Sequence, residues 1–159
     1  MQSFKVPENL IFKLLYRYNH LTNKWSSDNL ALMISSGYHI TYMPYFMNIG
    51  YEGISNLDLV KKIKVTKQGV SKIVRELEKL KLVYTTKSES DARSIMIFLT
   101  KDGEVLFEEI KTMSNELTER YVKHLGEKKY NNFIETFVKI IQLHEELETK
   151  QIKIPLNSV

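Results

Sequence analysis

Residues 65–104 read VTKQGVSKIVRELEKLKLVYTTKSESDARSIMIFLTKDGE. Val70, Ile73, Val74, Leu77 and Leu80 recur at helical spacing, so an amphipathic helix is expected with Thr66 as its N-cap. Leu82 to Thr86 is β-branched and aromatic, and Ser94 to Thr100 returns with Ile95, Ile97 and Leu99 on one face. This pattern predicts a β-hairpin whose tip holds Glu89, Asp91 and Arg93. Thr100 can cap the helix that follows, with Glu104 as an acid in its first turn.

Upstream, Ser55 or Asn56 can cap a short helix, Leu57 to Ile63, with Leu59, Val60 and Ile63 apolar. Lys64-Val65 is then a tight connection. Two short helices, a tight turn and a hairpin make a winged helix-turn-helix, a motif whose second helix enters the major groove. That helix carries Thr66, Lys67, Gln68, Ser71, Lys72 and Arg75 on its polar side. Gln can bond adenine through two hydrogen bonds and Arg can do so with guanine, while Ser, Thr and Lys hold phosphates. Ser55 and Asn56 are candidate phosphate contacts at the preceding helix. In the wing, Lys87 and Ser88 can reach the backbone and Arg93 can enter the minor groove. Asp91 is suited to orienting Arg93 through a charge-assisted hydrogen bond. The plainer alternative is an amphipathic helix with a solvated face and a merely soluble hairpin tip.

Working outward, Pro7 can open a first helix over Glu8 to Lys24, with Leu10, Leu14 and Tyr18 in its apolar row. Ser26-Ser27-Asp28-Asn29 reads as a break, followed by a short turn of helix over Leu30 to Ile34. Thr41 is the expected cap of a second helix with Pro44 in its first turn, ended by Gly50 and Gly53. Beyond the wing, a long helix carries Leu106, Ile110, Met113, Leu117, Tyr121 and Leu125, and Gly126 breaks it. A last helix over Lys128 to Thr149 carries Tyr130, Phe133, Ile134, Phe137, Ile140 and Ile141. The expected fold is mainly α with a small β-hairpin wing. One domain spans 1–159, with a DNA-binding region at 40–103 and a helical region at 1–34 and 104–150.

The chain has no cysteine, which excludes disulfides, thiol nucleophiles and thiol-based switches. His20, His39, His124 and His144 form no metal-binding pair. No nucleophile–base set or Gly-rich phosphate loop is present, so neither an enzyme nor a cofactor is expected. Net charge is +4, but residues 55–103 hold 11 Lys and Arg against 6 Asp and Glu. The positive excess therefore lies in the helix-turn-helix and wing, where it can displace counterions from phosphates. No apolar run is long enough for a membrane span, and MQSFKVPENL lacks a secretory pattern, so a cytoplasmic protein without membrane contact is expected.

The order of these motifs resembles the MarR family of bacterial transcriptional regulators. The matching residues are Leu77-Glu78, Leu82-Val83, Asp91-Ala92-Arg93 and Leu99-Thr100-Lys101-Asp102-Gly103. The resemblance implies a homodimer with interleaved terminal helices that binds an inverted repeat in double-stranded DNA, most often as a repressor. Independently, Tyr130, Phe133, Phe137 and Ile141 exceed what one small winged domain needs to cover. With Leu10 and Leu14 they are the expected dimer contacts. Many relatives release DNA on binding a small aromatic molecule, and Tyr16, Trp25, Tyr38, Tyr42, Tyr45 and Phe46 are candidates for such a pocket; core packing would explain them equally well. Two positions depart from the family pattern. Lys81 stands where glycine is frequent, and Thr85 where Leu-Val-x-Arg has its arginine. The second departure keeps open a winged protein-interaction module that no longer reads DNA.

Overall fold

A computed structural model of the chain describes residues 10–30, 37–87 and 95–149. The chain divides into two compact units, Met1–Met113 and Ser114–Val159.

In the first unit, helix α1 spans Ile11–Asn29. It runs straight through the expected break at Ser26 to Asn29. Lys24 pairs with Asp28 at 3.0 Å, the Asn29 amide donates to the Trp25 carbonyl at 2.7 Å, and Ser26 is buried. Trp25 packs on the core and Leu30 is buried, so tertiary packing outweighs the weak helix propensity of the polar run. The short turn expected over Leu30 to Ile34 lies outside the described residues except for Leu30.

A 3-10 turn, Ile40–Tyr42, leads into α2, Met43–Ile49, which has Pro44 in its first turn. Thr41 is not the cap of this helix. His39 caps the turn instead, its Nδ1 accepting from the Thr41 backbone N–H at 3.3 Å. The short strand β1, Ile54–Ser55, leads into α3, Asn56–Ile63. Lys64 adopts the left-handed conformation (φ 50°) and turns the chain into α4, Lys67–Lys79. Two strands follow, β2 at Val83–Lys87 and β3 at Ile95–Leu99.

The sheet has three antiparallel strands in the order β1-β3-β2, one more than the expected hairpin. β1 holds only two residues, Ile54 opposite Ile97 and Ser55 opposite Met96. A strand so short has no readable alternation. Gly53 precedes it with φ 72°, and a side chain there would collide with the Phe98 ring and the Ile97 carbonyl.

The core of this unit gathers one or more fully buried side chains from successive elements: Phe46, Leu59, Val70, Leu77, Ile97 and Leu106. The last belongs to α5, Lys101–Leu125, whose first half supplies Gly103, Leu106, Phe107, Ile110 and Met113.

The Leu-Thr-x-x-Gly motif acquires a physical reason here. Thr100 Oγ1 accepts from the Gly103 N–H at 3.0 Å and donates to the Lys81 carbonyl at 2.6 Å. Its own N–H donates to the Leu82 carbonyl at 3.0 Å. That carbonyl lies so close to Gly103 that a Cβ would overlap it. The end of α4 is closed by a Schellman motif: Leu82 N–H donates to the Leu77 carbonyl at 3.0 Å and Lys81 N–H to Glu78 at 2.9 Å.

In the second unit, the rest of α5 turns at Gly126 (φ 82°) into α6, Glu127–Thr149. Tyr130 donates from its hydroxyl to Thr118 at 3.4 Å and its ring lies 6.4 Å from that of Tyr121. None of the described side chains of α6 is buried. Among the described residues, no helix is long and apolar enough to cross a membrane.

Candidate nucleic-acid interface

α4 is the most sharply two-faced helix of the first unit. Val70, Val74 and Leu77 are buried, and Ile73 and Leu80 pack against the same core. Lys67, Gln68, Lys72 and Arg75 are exposed on the other side, with Ser71 half-buried beside them. Thr66 caps the helix, its hydroxyl accepting from the Gly69 N–H at 3.1 Å. A Cβ at Gly69 would lie 3.3 Å from that hydroxyl, so the glycine gives the cap room.

Ser55 is committed to its own helix. Its hydroxyl accepts from the Asp58 N–H at 3.0 Å and donates to Asp58 Oδ2 at 2.7 Å. Lys61 bonds the other carboxylate oxygen at 3.1 Å. The Ser55 hydrogen bond, then Lys61, holds the Asp58 carboxyl below its ordinary range. Ser55 therefore reaches a phosphate through its hydroxyl only by breaking its capping pair. Asn56 differs, because it lines a cleft.

That cleft, of about 170 Å³, opens between α4 and the wing. Asn56, Ser71, Arg75 and Thr85 form its polar rim. Val74, Ile95 and Ile97 supply its apolar lining. Thr85 and Ile97 are directly paired across β2 and β3. The Thr85 hydroxyl donates to Glu78 Oε1 at 2.7 Å. The position where the family pattern has arginine is thus tied back to α4.

Lys87 ends β2 and is exposed. Ser88, Asp91 and Arg93, the expected wing-tip contacts, lie outside the described residues.

The six candidate pocket aromatics separate into core and surface. Phe46 is wholly buried and Tyr38 nearly so, and burial pushes the Tyr38 phenol above its ordinary pKa. The Tyr38 ring meets Tyr42 and Phe46 edge-on, each at 5.8 Å. Trp25, Tyr42 and Tyr45 are half-buried against the same core. Tyr16 is 73% exposed and stacks on His20 instead. The structure thus joins Tyr38, Tyr42 and Phe46 and leaves Tyr16 on the surface of α1.

Of the expected dimer contacts, Leu10 and Leu14 are exposed in the first unit, and Phe133 and Ile141 in the second. Tyr130 and Phe137 are half-buried, with Phe137 stacked on Phe133 at 5.7 Å. Sequence reasoning missed the contributions of Val74, Thr85, Ile95 and Ile97 to the cleft. Three of them read as strand residues, and β register alone did not say which of them would face the helix.

The MarR family model matches residues 36–94. No curated protein sequence matches the chain. Among solved structures, the chain is similar to a MarR protein from Peptoclostridium difficile, with a TM-score of 0.71 at 18% identity over 96% of this chain and 100% of that one. It is also similar to Streptococcus pneumoniae FabT in complex with DNA, with a TM-score of 0.69 at 20% identity over 84% and 96%. A third similar structure is the PcaV transcriptional regulator from Streptomyces coelicolor in complex with its natural ligand, at 0.70 and 11% over 88% and 98%. At these identities the structural likeness establishes the fold. The family match adds that residues 36–94, which hold the helix-turn-helix and the first wing strand, are similar to the MarR family.

Proposed function

We propose that this chain is a transcriptional regulator that reads double-stranded DNA as a homodimer on an inverted repeat, and acts as a repressor. The observation that carries the reading is α4. Lys67, Gln68, Lys72 and Arg75 stand exposed opposite a row of buried anchors, beside a three-stranded wing. This is the arrangement by which a helix is held rigidly while it enters the major groove. The positive excess over residues 55–103 supports it, as does the DNA held by FabT, a similar fold.

Dimerisation is supported by apolar surface that each unit leaves uncovered. Leu10, Phe12 and Leu14 are exposed in the first unit, and Phe133, Ile140, Ile141 and Leu143 in the second. Apolar surface on this scale calls for a partner. A two-fold dimer would present two copies of α4 to half-sites one duplex turn apart. The region 40–103 would then bind DNA, and 1–34 with 104–150 would join the protomers. Release by a small aromatic molecule completes the reading. The half-buried Trp25, Tyr42 and Tyr45 beside Tyr38 are the side chains suited to it, and PcaV, a similar fold, holds a natural ligand. Like the DNA it binds, the protein would act in the cytoplasm.

The test is selection from a random duplex library by the purified protein at physiological salt. Enrichment of an inverted repeat supports the reading. Binding with no enriched sequence would replace it with non-specific binding of steep salt dependence, and no binding with a winged domain whose partner is another protein.

A further inference from the structure

We propose that the cleft between α4 and the wing seats one sugar–phosphate unit of the DNA backbone, and that Arg75 serves this seat and does not read a base. The inference rests on the DNA-binding reading and assigns part of its interface.

The argument begins with helix spacing. Lys67, Ser71 and Arg75 fall in one row of α4, four residues apart, while Gln68 and Lys72 fall in the adjacent row. Only Ser71 and Arg75 among these line the cleft, so their row is the one turned toward the wing. A helix in the major groove and a wing in the neighbouring minor groove straddle the phosphodiester strand that divides the two grooves. That strand must cross the saddle between α4 and the wing, which is where the cleft opens.

The chemistry of the cleft suits this occupant. Its 170 Å³ is several times the ~30 Å³ that a water occupies in the liquid. Asn56, Ser71 and Arg75 bring an amide, a hydroxyl and a guanidinium to the rim, which are donors for phosphate oxygens. Ile95, exposed at the edge of the cleft, offers apolar surface, which matches the carbon face of deoxyribose. Thr85 adds no donor, because its one hydroxyl hydrogen goes to Glu78. An arginine at position 85 would occupy this space, and its absence leaves the seat to Arg75.

The test uses the full chain and the duplex selected above. Binding is measured against salt for the wild type, Arg75→Ala and Gln68→Ala. It is then repeated on duplexes with single phosphates replaced by neutral methylphosphonates. Arg75→Ala should keep the preferred sequence and lower the salt slope by about 0.9 for each protomer bound. One methylphosphonate per half-site should weaken the wild type about tenfold and leave Arg75→Ala little affected. A changed base preference in Arg75→Ala with an unchanged slope would overturn the proposal, as would equal sensitivity of both proteins at every phosphate. Failure of the wild type to bind any duplex would remove the DNA-binding reading itself, and the seat with it.

Discussion

The Thr85 hydroxyl donates to Glu78 Oε1 at 2.7 Å, binding the middle residue of strand β2 to the last turn of α4. Both residues are half-buried, so the carboxylate has little other solvation on that side. Thr85→Val keeps the shape of the side chain and removes the donor. The expected cost is about 1 kcal/mol, the usual worth of such a bond at a partly solvated site. A lower urea midpoint with an unchanged slope of unfolding would show it. An unchanged midpoint would mean that water serves Glu78 equally well.

Lys81 holds φ 59° at the position after the α4 cap, where a Schellman motif favours glycine. A side chain in the left-handed region costs roughly 1–2 kcal/mol. Lys81→Gly should therefore raise stability by about 1 kcal/mol, after the extra freedom of glycine in the unfolded chain is deducted. Thermal unfolding of the two proteins decides the matter. A lower midpoint for the variant would mean that the lysine side chain contributes more than its backbone strain removes.

Much of this was legible in the residues, and the reasons differ from place to place. The Val70, Val74, Leu77 row fixed α4 because one helical face alone could satisfy it. Thr66 and Thr100 were readable as caps because a side-chain oxygen three residues before an orphan N–H has a local job. What escaped was non-local. Strand β1 exists because Gly53 lets Ile54 approach β3, not because two residues have a strand pattern. Helix α1 passes through Ser26 to Asn29 because Trp25 and Leu30 pack on a core assembled from distant segments. Likewise, Tyr38 and Phe46 joined the core and parted from Tyr16, which aromatic content alone could not decide. The cleft was invisible for the same reason, since it is formed by four elements at once.

Gly103 leaves no room for a side chain at the wing-to-helix junction. A methyl group there would overlap the Leu82 carbonyl, which already accepts from Thr100. Neither group can move cheaply, because both are backbone. Gly103→Ala should cost about 3 kcal/mol, at the upper end of overpacking substitutions. The exposed neighbour substitution Asp102→Ala should stay within about 0.5 kcal/mol of the wild type. Chemical denaturation of both variants checks the contrast. A mild loss in Gly103→Ala would show that the start of α5 shifts readily.

Gln68 stands in the row of α4 next to the cleft and is exposed. Its side chain amide has no role in holding the fold, so removing it should spare stability. In a DNA complex, Gln68→Ala should relax preference at one base pair of each half-site by about 1–3 kcal/mol. The readout is the selected sequence, not the affinity. Selection of an unchanged sequence would move the specific contact to Lys67 or Lys72.

Asp58 couples the start of α3 to pH. Its carboxylate is held by the Ser55 hydroxyl and by Lys61, which lower its pKa in the folded chain. Its unfolded value is about 3.9. A carboxyl that is more acidic when folded contributes stability above the unfolded pKa and loses it as pH falls through the folded pKa. The wild type should therefore lose stability faster than Asp58→Asn on acidification from about pH 5 to pH 3. Above that window the difference between the two proteins should be constant. Ser55→Ala removes the larger cause of the shift, so it should flatten the acid limb toward that of Asp58→Asn even with Lys61 in place. Parallel acid limbs in all three proteins would mean that the Ser55–Asp58 pair is exchanged for water in solution.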